Sequence, residues 1–145
     1  MALAAVIDTN VLIAALRSPF GASYQILARV GSGAFELDLS VPLVLEYESV
    51  AKRDLPALGL EAADVDAVLD FLCRVGRHRR IYFHWRPALP DPQDDMILEL
   101  AVAAGCPLIV THNVKHFTGA GRFGVTPIRP RDFLRTLSPR PSATP

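Results

Sequence analysis

The sequence predicts an α/β fold: an open, mostly parallel sheet sandwiched between helices. Short, uniformly apolar runs such as Ala4-Ala5-Val6-Ile7 and Leu108-Ile109-Val110-Thr111 have the character of strands covered on both faces. Longer segments between them repeat apolar residues at three- and four-residue intervals, as amphipathic helices do. The two kinds of segment alternate along a chain of 145 residues, the length of one ordinary domain. A single domain is expected over residues 1–137.

The first strand runs into Asp8-Thr9-Asn10, where Thr9 or Asn10 is available to cap a helix continuing through Val11 to Leu16. Ser18-Pro19-Phe20-Gly21 breaks that helix, and Ala22 to Val30 resumes helical spacing until Gly31-Ser32-Gly33. Phe35 to Val41 alternates apolar with polar residues, the pattern of a half-buried strand. Ser40 before Pro42 suits a helix start, so Leu43 to Arg53 is read as helix, with Glu46 about one turn inside it. Leu55 to Gly59 reads as a linker, and Glu61 to Arg74 as a helix on the spacing of Val65, Val68, Leu69 and Leu72.

Arg80 to His84 reads as a shallow or edge strand and Trp85 to Pro90 as a loop. Asp91, with Pro92 in the first turn, suits the cap of a largely buried helix carrying Met96, Ile97, Leu98, Leu100, Ala101 and Val102 and stopped by Gly105 and Pro107. Val125 to Ile128 reads as a last strand and Pro130 to Leu137 as a short helix. Residues Ser138 to Pro145, rich in proline and without apolar anchors, are expected to fray.

Half of the residues are hydrophobic and 21% are charged, a composition that excludes disorder and supports a core without disulfides. Cys73 and Cys106 stand in apolar contexts without metal-finger spacing and read as buried free thiols. No apolar run approaches the ~20 residues of a bilayer crossing, and Asp8 interrupts the only candidate signal segment. No membrane association and a cytoplasmic location are therefore expected. Fifteen basic and fifteen acidic side chains balance, so any polyanion must be held by local patches or by metal.

Ligands of open parallel sheets bind beyond the carboxyl ends of the strands, where Asp8-Thr9-Asn10 and Thr111-His112-Asn113 both stand. Glu46 and Asp94 or Asp95 enter from helix starts, so four segments can meet in one cleft. A hard cation, Mg²⁺ or Mn²⁺, would gather such carboxylates and bridge them to a substrate phosphate. It would also activate water for in-line phosphodiester hydrolysis. Each residue has a plainer alternative: Asp8 as a helix cap, Glu46 on a solvated face beside Glu48, and Asp91, Asp94 and Asp95 as acids favoured at a helix start. Asn113 is equally a turn residue or a neutral ligand, and His112 and His116 lack partners for zinc. The basic run Arg74, Arg77, His78, Arg79, Arg80, continued by His84 and Arg86, is either a solvated helix end or a contact for nucleic-acid phosphates, chiefly through Arg77, Arg79 and Arg80.

Val6-Ile7-Asp8-Thr9-Asn10-Val11-Leu12, Ser40-Val41-Pro42 leading to Glu46-Tyr47, Asp91-Pro92-Gln93-Asp94-Asp95-Met96 and Leu108 to Asn113 with His116-Phe117 resemble the PIN-domain family. The likeness spans roughly residues 4 to 135 and is in particular to the VapC-like toxin components of toxin–antitoxin pairs. It implies a three-layer α/β/α sandwich and a Mg²⁺- or Mn²⁺-dependent ribonuclease acting on RNA. It also implies a small antitoxin partner and a homodimer. Carried over by position, Asp8, Glu46 and Asp94 are the catalytic, metal-binding acids, with Asp95 as the fallback ligand. Thr9, Asn10, Thr111 and Asn113 are polar support. Where the family often has a fourth acid, this chain has Asn113 and then His116, so one metal ion or low activity is implied.

Two other readings remain. One is an RNA-binding module of the same fold with little or no cleavage, suggested by Asn113, His116 and the neutral net charge. The other is a phosphohydrolase or phosphotransfer domain. It lacks a phosphate-cradling Gly-rich loop, and Asn10 stands where many phosphotransferases carry a second Asp.

Overall fold

The computed structural model describes residues 3–80, 89 and 91–137, the side chains of Pro92 and Gln93 excepted. Its centre is a sheet of five parallel strands in the order β3-β2-β1-β4-β5. The strands are β1 (Ala4–Ile7), β2 (Glu36–Leu39), β3 (Arg77–His78), β4 (Leu108–Val110) and β5 (Thr126–Ile128). Helices flank the sheet on both sides, giving the expected three-layer α/β/α sandwich. β1 occupies the middle position, and all four of its residues are buried, which accounts for their uniform apolar character.

The helices are α1 (Thr9–Arg17), α2 (Ala22–Ala28), α3 (Val41–Arg53), α4 (Leu55–Leu58), α5 (Ala62–Val75), α6 (Pro92–Ala103) and α7 (Pro130–Thr136). α6 packs on β1, β2 and β4 and buries Ile97, Leu98, Leu100 and Ala101, so it is apolar on more than one face. α1 packs on α2 and α3, α2 on α7, and α3 on α5. The Ser40 hydroxyl caps α3 by accepting from the Leu43 amide at 3.3 Å, and Pro42 sits in the first turn, where its missing donor costs nothing.

Several sequence expectations shift. Thr9 and Asn10 lie inside α1 and Asp8 holds the cap position, because both polar side chains are used across the fold instead. The Leu55–Gly59 linker contains the short turn α4, closed by Gly59 at φ +68°. A 3-10 segment over Val114–Phe123, kinked at Phe117, follows β4 where no element was expected. An edge strand lies at Arg77–His78, a stretch not read as strand from the sequence; of the strand expected at Arg80–His84, residues 81–84 fall outside the described residues, as do the loop at 85–88 and the tail at 138–145. The other edge strand, β5, has Pro127 at its middle. Among the described residues no single helix is long and apolar enough to cross a membrane.

β3 escapes sequence reading because Arg and His are poor markers of a strand. Its pairing is instead fixed by charge. Asp38 on β2 is fully buried, and Arg77 donates Nε and Nη2 to its two carboxylate oxygens, each at 2.9 Å. Arg79 Nε stands 3.6 Å from the same carboxylate. The Arg77 guanidinium, read from sequence as an RNA contact, is thus engaged in joining the edge strand to the sheet. Arg77→Ala leaves a buried carboxylate without this two-point partner. The partial exposure of the arginine moderates the cost to about 2 kcal/mol. A matching fall in urea stability is expected, read from the shift in midpoint.

Candidate metal centre

Parallel pairing brings the ends of β1 and β4 level. The Asp8 amide donates to Val110 O at 2.9 Å, and the Thr111 amide donates to Ile128 O at 2.9 Å, so both residues leave the sheet at the same edge of the cleft. Side chains then tie the two segments. Thr111 Oγ1 donates to Asp8 Oδ2 at 2.7 Å and accepts from the Asn113 amide at 3.0 Å. Asn10 Oδ1 accepts from the His112 amide at 3.3 Å. The Asp8 side chain does not cap α1 in the usual way; it is held by the Thr111 hydroxyl at the end of β4.

Glu46 reaches the same place from α3, and its Oε2 accepts a hydrogen bond from the Thr9 hydroxyl. The next residue, Tyr47, is buried and donates its hydroxyl to Ile7 O, which locks α3 to the end of β1. Its pKa lies well above the usual tyrosine value, through burial first and then the charges of Asp8 and Glu46, so it stays a donor. Glu48, the competitor in the sequence, pairs with Lys52 at 3.0 Å.

Asp94 and Asp95 are both buried at the start of α6, but only Asp94 lines the cleft. Asp95 Oδ1 accepts from the Leu89 amide at 3.0 Å. Asp94 Oδ2 is buried and makes no hydrogen bond with any described residue. His116 Nδ1 stands 3.5 Å away, an ion-pair partner only when protonated. The cleft measures about 560 Å³, and Asp8, Glu46, Asp54, Asp91 and Asp94 put five carboxylates on its wall, with Asn113 and His116 beside them.

Burial lifts the Asp8 carboxyl above its ordinary range; the Thr111 hydrogen bond opposes the rise and the charge of Glu46 adds to it. Burial also raises Asp94, to about 6, with the charges of Asp8, Asp91 and Glu46 adding and that of His116 opposing. The acids therefore sense one another. Among the described residues no three acid, imidazole or thiolate groups stand close enough to form a closed ligand set.

A PIN domain family model matches residues 4–115, more than half of the chain. The chain belongs to the PIN domain family. PIN domains are generally nucleases and generally use Mg²⁺ or Mn²⁺. None of the curated proteins compared matches this PIN domain. The donors fit such a cation: they are hard oxygens, they are mutually repelling, and one of them is buried without a hydrogen bond among the described residues. Asp8, Glu46 and Asp94 line the cleft with Thr9, Asn10 and Asn113, while Thr111 stands behind Asp8. Arg79 and Arg80 are exposed and do not line it. Sequence reasoning missed the approach of His116 to Asp94 and the presence of Asp54; neither has a local signal, because each depends on how distant elements pack.

Asp94 carries a testable electrostatic cost. An acid whose folded pKa lies above its unfolded value binds more protons when folded. Its contribution is therefore most favourable below about pH 4 and is lost as pH rises through about 6. In metal-free protein the neutral isostere Asp94→Asn is expected to be about 2 kcal/mol more stable than wild type at neutral pH, with the difference vanishing near pH 4. Urea denaturation across that range checks both the sign and the window.

Proposed function

We propose that this PIN domain is a Mg²⁺- or Mn²⁺-dependent endoribonuclease in which Asp8, Glu46 and Asp94 hold the cation. The observation that carries the reading is the buried Asp94 Oδ2, without a hydrogen bond among the described residues, in a cleft shared with Asp8 and Glu46. Burial first, and then the charge of Glu46 on Asp8 and the charges of Asp8, Asp91 and Glu46 on Asp94, raise these two carboxyls, and a divalent ion would offset that cost. When bound, the cation supplies water activation and neutralises charge on the phosphodiester during in-line displacement. Thr111 orients Asp8, and Thr9 orients Glu46. Asn10 holds the His112 segment beside the cleft. His116 faces Asp94 and, when protonated, offsets part of its charge.

The motif likeness to VapC-like proteins supports a toxin role. In that role a small antitoxin restrains the enzyme, the enzyme pairs as a homodimer, and it acts on cytoplasmic RNA. A second reading is favoured by one observation: Asn113 and His116 occupy the region of a fourth acid, which lowers the negative charge available to a second ion. In that reading the domain binds RNA and cleaves it weakly.

Asp8→Asn is expected to reduce Mg²⁺-dependent cleavage of single-stranded RNA by at least about 100-fold, and chelator is expected to abolish it in the wild type. Cleavage that survives chelator would exclude the metal mechanism, and RNA binding without cleavage in Mg²⁺ or Mn²⁺ would favour the second reading. Thr9→Val keeps the ligand set but removes the hydroxyl that orients Glu46. It should weaken Mn²⁺ affinity about tenfold, measured by calorimetric titration.

A further inference from the structure

The acidic cleft is poorly suited to attract a polyanion, and the chain's net charge of zero supplies no general pull. Beside it lies a second groove of about 630 Å³, walled by the end of α1, the start of α2 and α7. The two share Ala14, Arg17 and His112, so they are continuous. The groove carries Arg17, Arg129, Arg131 and Arg135 against the single carboxylate of Asp132.

These arginines are accessible to a ligand. All four are exposed. Arg129 and Arg131 have no carboxylate partner among the described residues. Arg17 stands 3.8 Å from Asp54 and Arg135 3.7 Å from Asp132, exposed pairs of the kind worth little in water. The junction between groove and cleft is firmer. Ser23 is buried, its hydroxyl lies 3.2 Å from His112 Nε2, and the His112 amide is held by Asn10. The imidazole is thus anchored at the point where the basic wall meets the acidic one. The competing basic run at Arg77–Arg80 has its first arginine engaged with Asp38 and Arg79 beside the same carboxylate.

We propose that single-stranded RNA runs along the Arg17–Arg129–Arg131–Arg135 groove and passes His112 into the carboxylate cleft, the arginines holding the phosphates that flank the scissile one. This rests on the ribonuclease reading and names the path of its substrate. Arginine suits the role because its planar fork grips phosphate oxygens at two points and keeps its charge at every physiological pH.

The test uses a labelled single-stranded RNA of about 12 nucleotides. Binding to full-length protein is followed by fluorescence anisotropy in chelator, from about 50 to about 200 mM KCl. Arg129→Ala/Arg131→Ala should weaken binding at least about tenfold at the lowest salt and reduce the log–log salt slope by about 1.4, the loss of two phosphate contacts on a single strand. Arg79→Ala/Arg80→Ala, with the same charge change, should weaken it less than about threefold. Arg131→Glu alone, at an exposed position, should reproduce the loss if the double variant fails to fold. Unchanged affinity and slope in the groove variants, or an equal loss in Arg79→Ala/Arg80→Ala, would overturn the proposal, as would failure of the wild type to bind the RNA. The two readings separate. Groove-dependent binding without Mg²⁺-dependent cleavage removes the nuclease and keeps the groove, whereas Asp8-dependent cleavage unaffected by the groove variants does the reverse.

Discussion

Asp8, Glu46 and Asp94 come from three distant stretches of chain, and their charges oppose the packing that brings them into one cleft. What holds them there is the alignment of β1 with β4 and the fastening of α3 to β1. The Thr111 hydroxyl on one strand end grips Asp8 on the other, and Tyr47 grips the last carbonyl of β1 from within the helix that carries Glu46. α6, buried on β1, β2 and β4, has little freedom to withdraw Asp94. The core thus supplies the rigidity against which the electrostatic strain of the site is set. Such strain is common at sites that await a ligand of opposite charge.

Much of this was legible in the sequence because it rests on local rules. A uniformly apolar run ending in Asp8-Thr9-Asn10 is a buried parallel strand delivering polar groups to its carboxyl end, and the structure contains that strand. The Ser40-Val41-Pro42 start of α3 follows from capping chemistry alone. The roles of Thr9 and Asn10 were not legible, since their side chains bond residues 37 and 102 positions away. The same holds for β3, whose existence depends on the distant Asp38, and for the 3-10 segment after Asn113, whose glycines and short apolar spacing carry no regular period. Position in the helix separates Asp94 from Asp95. One position along α6 turns a side chain by about 100°, enough to send Asp94 to the cleft and Asp95 to the Leu89 amide.

The neutral corner formed by Asn113 bears on electrostatics rather than on shape. His116, one 3-10 turn beyond it, stands against Asp94, so an imidazole occupies ground where another acid would deepen the negative potential. The wall is correspondingly less hostile to a phosphate. Its surplus of negative charge lies toward Asp54 and Asp91, at exposed positions where solvent screens it.

Pro127, at the middle of β5, has a consequence for the company this protein can keep. Thr126 donates its amide to Pro107 O and Ile128 accepts from Thr111, so both of those residues turn their backbone groups inward toward β4. The residue between them turns its backbone outward, and there the nitrogen is a proline's and carries no hydrogen. Among the described residues the outer margin of β5 therefore lacks a donor that an incoming extended chain would use. Growth of the sheet from one molecule into the next is thereby disfavoured along β5, since an added strand there forgoes one ladder bond.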